Sequence, residues 1–126
     1  MKFWVTMFSI TLVLAANLAM GQSGGDLVKQ GQDIYEENCA DCHRSNGEGL
    51  WVKFPALKGN ALVTGDPKPV IATVLNGLKG SLGQMPAWKD TLDDQQIAAL
   101  VTYIRQAWSN RAPAVTPAMV AATRRQ

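Results

Sequence analysis

The 126-residue sequence has few of the side chains that bind metals and nucleic acids: one histidine, two cysteines and only 17% charged residues. A structural zinc site takes four ligands, usually as two separated pairs, which this composition does not supply. The basic residues form no block and do not alternate with aromatic residues, which argues against a nucleic-acid partner. An internal repeat and the alternating pattern of strands are also missing. At a length suited to one domain, these absences favour a small all-α protein.

The first 21 residues have the layout of a secretory signal peptide. Lys2 precedes an apolar run over 3–20, and the small residues Ala19 and Gly21 follow at positions −3 and −1 of a cleavage site. We expect cleavage after Gly21, or a few residues earlier. The alternative is an uncleaved anchor, because 18 apolar residues are at the lower limit for spanning a bilayer. Both interpretations predict export to the periplasm, with membrane association only if the segment is not cleaved.

Residues 22–126 are predicted to form one domain, with a core over about 26–110 and a tail over 111–126. Removal of the leader leaves eleven basic and ten acidic residues, a net charge of +1. A surface so close to neutral predicts no strong electrostatic steering of partners.

Helix caps and apolar periodicity predict three main helices joined by long loops. The first is capped by Asp26 and runs to about Asn38; the second begins at Asp66 and Pro67 and ends at Gly77 or Gly80; the third runs from an Asp93–Gln96 capping box to Trp108. The loop over 44–65 has room for one helical turn, and 80–91 is predicted as a second loop. A short helix is expected after Thr116 and Pro117.

Residues 39–43 contain both cysteines and the histidine, in the arrangement C-x-x-C-H. At a helix end, residues three apart share a face, so two thiols can reach the two vinyl groups of one haem. The imidazole that follows then reaches the iron from the same side. This spacing is the attachment signature of c-type haem. We therefore predict one haem c, covalently bound through Cys39 and Cys42, with His43 as an iron ligand.

Two other interpretations of this motif are weaker. A thioredoxin-like pair should follow a strand in an alternating strand–helix pattern, whereas here the motif follows a predicted helix. A structural disulfide suits an exported protein, but so small a ring stabilises little and leaves His43 without a role. The three predicted helices also bury little apolar area by themselves, so we expect a haem to complete the core.

The second axial ligand is predicted to be Met85. His43 is the only histidine, which excludes two histidine ligands within one protomer. Methionine is the usual sixth ligand of electron-carrying cytochromes, and only Met85 and Met119 follow the leader. Met85 lies on a glycine-rich loop stiffened by Pro86, whereas Met119 lies in the tail. The alternatives are that Met85 only fills a gap in the core, or that the position is vacant or weakly held.

The motif and the segments after it resemble a class I cytochrome c. Beside residues 39–43, the resemblance rests on FPALKGN at 54–60, MPAW at 85–88 and LDDQQI at 92–97. More narrowly, residues 31–110 resemble the cytochrome c domains of cytochrome subunits in quinoprotein alcohol dehydrogenases and related respiratory chains. This resemblance implies a small cytochrome c fold, with three main helices and long loops packed around one covalently bound haem.

The resemblance also implies roles for residues around the haem. The carbonyl of Pro55 is expected to accept a hydrogen bond from the ring of His43, and Leu57, Leu78 and Trp88 are expected to line the haem. Ordinary core packing is the alternative for those three.

Two further contacts are implied in the same way. Gly31 and Tyr35 of the first helix are expected to cross the last helix near Leu100 and Tyr103, where glycine lets the two backbones approach closely. Trp51 or Trp88 is a candidate hydrogen-bond donor to a haem propionate.

The function that the resemblance implies is electron transfer without catalysis. The partners would be redox proteins, a dehydrogenase or respiratory complex on one side and a terminal oxidase on the other. The main alternative is a haem peroxidase or a gas-binding or sensor protein with a labile sixth ligand. A second alternative is a subunit whose haem relays electrons inside a dehydrogenase complex.

Overall fold

The computed structural model describes residues 23–81 and 83–126. Within them the chain forms six helices and one antiparallel hairpin, so the predicted helical architecture is confirmed. In chain order these are α1 (Gly24–Asn38), α2 (Ala40–His43), α3 (Ala61–Thr64), α4 (Pro67–Asn76), β1 (Leu78–Gly80), β2 (Gly83–Met85), α5 (Asp94–Gln106) and α6 (Pro117–Arg124). The predicted signal peptide over 1–21 lies outside the described residues and stays a prediction.

The helix ends follow the caps closely, with one correction. Asp66 and the Asp93–Gln96 capping box begin α4 and α5 as predicted. The prediction that Asp26 caps the first helix is wrong, because Ser23 is the N-cap and its hydroxyl accepts from the Asp26 backbone N–H. Asp26 lies in the first turn instead, where a carboxylate interacts favourably with the helix dipole.

Helices α1 and α5 cross at Gly31, as expected. A Cβ atom at Gly31 would lie 2.0 Å from the carbonyl oxygen of Ala99 and 2.8 Å from Cβ of Tyr103. Only glycine therefore permits this approach. One turn further along α1, the ring of Tyr35 packs against that of Tyr103, with 5.5 Å between the centroids.

The core consists of side chains from five helices and from the segments before α5 and α6. Helix α4 contributes Val70, Ile71, Val74 and Leu75, and α5 is buried along most of its length. The segment 111–126 is not a loose tail, since Val115 and Val120 are at most 1% exposed within this core. Besides the three main helices, α6 packs on α4 and α5 and adds apolar area to this core.

A short hairpin replaces part of the loop predicted over 80–91. Strands β1 and β2 pair Leu78 with Met85 and Gly80 with Gly83. Each strand has three residues, mostly exposed, so neither shows the alternation by which a strand is recognised in a sequence. The hairpin follows α4 directly and determines where Met85 lies. Among the residues described, no helix combines the length and apolar character needed to cross a membrane.

Candidate functional site

An apolar cleft lies beside the core, where α2, the loop over 53–55 and the hairpin meet. Its walls come from three parts of the chain that are far apart in sequence. The lining residues are Asn38, Cys39, Cys42, His43, Lys53, Phe54, Pro55, Leu78, Gly80, Gly83, Gln84, Met85, Pro86 and Trp88. The cavity between them measures about 230 Å³ and opens to solvent. Its mainly apolar lining suits an organic cofactor rather than a single ion.

The two cysteines reach this cleft from the junction between α1 and α2. Cys39 ends α1, where its N–H donates to the carbonyl of Tyr35, and its own carbonyl accepts from the N–H of His43 at 2.9 Å. This turn places Cys39, Cys42 and His43 at one wall of the cleft. The two cysteines are not joined by a disulfide. Burial, with a smaller effect of Cys42, raises the pKa of Cys39 to about 12, so this sulfur is an uncharged group at neutral pH.

The ring of His43 is oriented by the loop that follows it. Its Nδ1 lies 2.9 Å from the carbonyl oxygen of Pro55, at the contact that the resemblance implied. A carbonyl only accepts, so Nδ1 carries the proton and donates, and Nε2 carries the lone pair available to a metal. Such a hydrogen bond also fixes the orientation of a ligating ring. The Pro55 contact therefore prepares His43 to bind iron through Nε2.

An aromatic cluster, of which only the Tyr35–Tyr103 contact was expected, holds the backbone after His43. The Tyr35 hydroxyl donates to the carbonyl of Arg44 at 2.6 Å, and the Trp108 indole donates to the carbonyl of Ser45 at 2.7 Å. The rings of Tyr35, Tyr103 and Trp108 pack with centroids 5.1–5.6 Å apart. Trp108 was predicted only as the apolar end of the last helix. Its role depends on contact with a segment 63 residues earlier.

Met85 reaches the same cleft from a different element. It ends β2, is half-buried, and pairs with Leu78 across the hairpin. The backbone of Gly77 packs beneath it, because a Cβ at Gly77 would lie 2.3 Å from the Met85 carbonyl oxygen. Met119, the other methionine after the leader, lies on α6 and is 43% exposed. Of these two methionines, only Met85 lines the cleft.

The remaining predicted site residues divide into two groups. Leu78 and Trp88 line the cleft, as Pro55 does. Leu57 is not among the residues that line the cleft; it packs against the core, its N–H bonds to the Gly47 carbonyl, and its carbonyl accepts from the Asn110 amide. Its role beside the haem stays a prediction.

Trp51 also lies outside the cleft wall. Its side chain is 92% exposed, on the loop that precedes the cleft residues Lys53 and Phe54. Trp51 and Trp88 were the two candidate hydrogen-bond donors to a haem propionate. Of these, only Trp88 lines the cleft.

The cleft and its ligand set can be compared with known protein families. Residues 26–104 match the family model described as cytochrome C oxidase, cbb3-type, subunit III. The chain belongs to this cytochrome c family. Residues 105–126, including α6, lie beyond the matched region.

Relatives of this cytochrome c domain come from several redox systems. The chain is 37% identical to the cytochrome c subunit of a quinone-dependent alcohol dehydrogenase from Gluconacetobacter polyoxogenes, over 76% of this chain and 22% of that protein. It is 39% identical to the cbb3-type cytochrome c oxidase subunit CcoP of Azospirillum brasilense, over 60% of this chain and 27% of that subunit. It thus spans about a quarter of these relatives. It also matches cytochrome c6 of Bryopsis maxima, with 32% identity over 64% of this chain and 91% of that protein.

A solved structure supports the same fold. The c-type cytochrome XoxG of Methylobacterium extorquens AM1 superimposes with a TM-score of 0.54 and 23% identity, over 79% of this chain and 65% of that one. At this identity the likeness concerns the fold alone. The small cytochrome c fold predicted for the chain is confirmed.

Membership of this cytochrome c family implies covalently bound haem c. The residues of the cleft fit that group. Two thiols, an imidazole with its Nε2 lone pair available, and a thioether surround a largely apolar space. These are the donors that attach and ligate haem in c-type cytochromes.

Proposed function

We propose that this chain is an exported single-haem electron carrier in which Cys39 and Cys42 attach the haem and His43 and Met85 ligate its iron. The observation that carries this proposal is that all four side chains line one apolar cleft, although Met85 comes from a separate hairpin. Met119, the other methionine in the described part of the chain, does not line that cleft.

The protein's contribution is to hold two ligands of different character and to limit access of water. When bound, the haem supplies one-electron exchange between Fe(III) and Fe(II). Pro55 orients His43 and increases its basicity by accepting from Nδ1. The thioether of Met85 favours the reduced state and a higher potential. The apolar walls, including Leu78 and Trp88, disfavour the more highly charged oxidised centre.

With both axial positions filled, we infer that the protein transfers electrons and does not catalyse a reaction on a substrate. The alternative, a haem peroxidase or a gas-binding or sensor protein, requires that Met85 leave the iron or never bind it. Two backbone contacts hold Met85 in place and oppose its movement away from the iron. The carbonyl of Met85 packs on Gly77, and the residue is paired with Leu78 in the hairpin.

The redox partners are proposed from the relatives. Matches to cytochrome subunits of dehydrogenases and of a cbb3-type oxidase suggest that the chain carries electrons from a dehydrogenase or respiratory complex to an oxidase. The predicted leader places this exchange in the periplasm. A net charge near zero suggests brief encounters with little electrostatic steering.

The proposal is tested with Met85→Ala and the matched control Met119→Ala in the exported protein. Mass spectrometry of each variant should first show one covalently added haem. Met85→Ala should lose the methionine–iron absorption band of the oxidised form and lower the reduction potential, because a soft ligand is removed. Met119→Ala should keep both properties of the parent. A band that survives in Met85→Ala, or an added mass that is missing from the parent, would contradict the proposal.

A further inference from the structure

Arg124, near the end of α6, bonds to three oxygens around the segment that follows Met85. Its Nε donates to Oδ1 of Asp94 at 2.8 Å, its Nη2 donates to the carbonyl of Leu92 at 3.0 Å, and its Nη1 donates to the carbonyl of Lys89. The planar guanidinium spreads its donors over three nitrogens in a rigid fork, so it reaches acceptors that lie apart, whereas the three donors of a lysine share one nitrogen. Arg124 lies beyond residues 26–104, so membership of the family does not account for this contact.

The same segment is held on its other side by the end of α4. The N–H of Trp88 donates to the carbonyl of Val74 at 3.1 Å, and the N–H of Lys89 donates to the carbonyl of Leu75 at 3.2 Å. Lys89 is therefore bound at its N–H by α4 and at its carbonyl by Arg124. This double attachment begins three residues after Met85 and includes Trp88, which lines the cleft.

Helix α6 is itself packed firmly against the core, so the backbone that carries Arg124 is held in place. Val120 is fully buried. In the preceding segment, the Val115 N–H donates to the Thr102 hydroxyl at 2.9 Å, and that hydroxyl lies 3.3 Å from the Val115 carbonyl. The guanidinium is thus presented from an element that is packed onto α5, not from a mobile end.

We propose that Arg124 is a positioning residue for Met85, holding the segment over 86–92 so that the thioether stays at the iron. This inference rests on the proposed function, because it takes Met85 as the sixth ligand. A methionine–iron bond is readily exchanged, so the fraction of molecules with Met85 displaced depends on how firmly its loop is held. Loss of Arg124 removes two hydrogen bonds from that loop and one from Asp94 at the start of α5, and it leaves the bonds to α4 intact.

Added imidazole measures that fraction, since it binds iron only when the methionine has moved away. The apparent dissociation constant falls in proportion as the displaced fraction rises. Loss of a hydrogen bond to a charged group changes an equilibrium constant by about tenfold. We expect Arg124→Gln in the holoprotein to bind imidazole about tenfold more tightly than the parent, with a weaker methionine–iron band and a lower potential.

Arg125→Gln is the matched control, because the side chain of Arg125 is exposed and has no hydrogen bond within the described part of the chain. It should bind imidazole as the parent does. Arg124→Lys should lie between parent and Arg124→Gln, since lysine keeps the charge but reaches fewer of the three oxygens. If Arg124→Gln does not yield folded protein, Arg124→Lys carries the test.

Equal imidazole affinity in the parent and the Arg124 variants would overturn the inference, even if those variants unfold more easily. Such a result would assign Arg124 to stability alone. Failure of the proposed function looks different. In that case the parent itself lacks the methionine–iron band, or Met85→Ala leaves the band unchanged.

Discussion

Replacing Gly77 by alanine should displace the backbone of Met85 and lower the stability of the fold. Gly77 has φ +69° and ψ −175°, a conformation that is essentially restricted to glycine. A Cβ there would lie 2.3 Å from the Met85 carbonyl oxygen and 2.9 Å from the Ala87 nitrogen. Both contacts are with backbone atoms, so no side-chain rotation relieves them.

The two effects can be estimated separately. A side chain in this region of backbone conformation costs about 1–3 kcal/mol. Forcing an extra carbon into packed surroundings costs about 1–3 kcal/mol more. The sum, roughly 2–6 kcal/mol, is a large part of the 5–15 kcal/mol that stabilises a typical domain. Movement of the Met85 backbone should weaken the methionine–iron band as well.

Two other glycines separate these effects in urea unfolding followed by circular dichroism. Gly59 has φ +68° but nothing within 4 Å of an added Cβ, so Gly59→Ala reports the backbone cost alone. Gly83 lies in the same hairpin, with an ordinary backbone conformation and no close atom, so Gly83→Ala should change stability little. Gly77→Ala should be less stable than both and should be the variant among the three that loses the band.

The reasoning would be refuted if Gly77→Ala and Gly83→Ala unfolded at the same urea concentration. Loss of stability equal to that of Gly59→Ala, with the band unchanged, would show that the backbone conformation matters and the contact with Met85 does not.

Two further predictions concern buried polar groups. Arg105, 2% exposed, donates to the carbonyls of Val63, Gly65 and Pro113, so Arg105→Met should lower the urea-derived stability by roughly 2–5 kcal/mol; an unchanged urea midpoint would contradict this. Burial raises the pKa of Tyr35 above its usual value of 10.0, so its hydroxyl stays protonated in the fold while the unfolded form ionises above about pH 10. Tyr35→Phe should therefore cost about 1 kcal/mol at pH 7 by removing the bond to Arg44, and its deficit should shrink as unfolding is measured at pH values rising above 10; a constant deficit would refute this assignment.

Local features of the molecule were predictable because their causes lie within a few residues. Asp66 and Asp93 cap helices by bonding to backbone N–H groups two or three residues away. The spacing of Cys39, Cys42 and His43 places them on one face of a single helical turn. Even among these local features one helix cap was predicted wrongly, because a neighbouring residue takes the N-cap position. Asp26 was predicted as the first cap, but Ser23 has the required extended backbone and takes that position.

Contacts between distant segments were harder to predict, because periodicity shows which face of a helix is apolar but not what covers it. Trp108 bonds to a carbonyl 63 residues away, and the Asn110 amide bonds to the Leu57 carbonyl 53 residues away. The second of these bonds holds the backbone of Leu57. The hairpin was missed because its strands are too short to show a pattern.

By itself the sequence determined the haem attachment motif, the main helices and Met85 as the sixth ligand to be tested, since these depend on residue type and short spacing. Tertiary structure alone decided that the cleft has walls from three separate segments, that the last 16 residues complete the core, and that Arg124 reaches the loop of Met85. The physical reason is that hydrogen bonds and packing across 30 or more residues exist only once the helices have met. The apolar periodicity of the sequence does not show which segment each helix face will pack against.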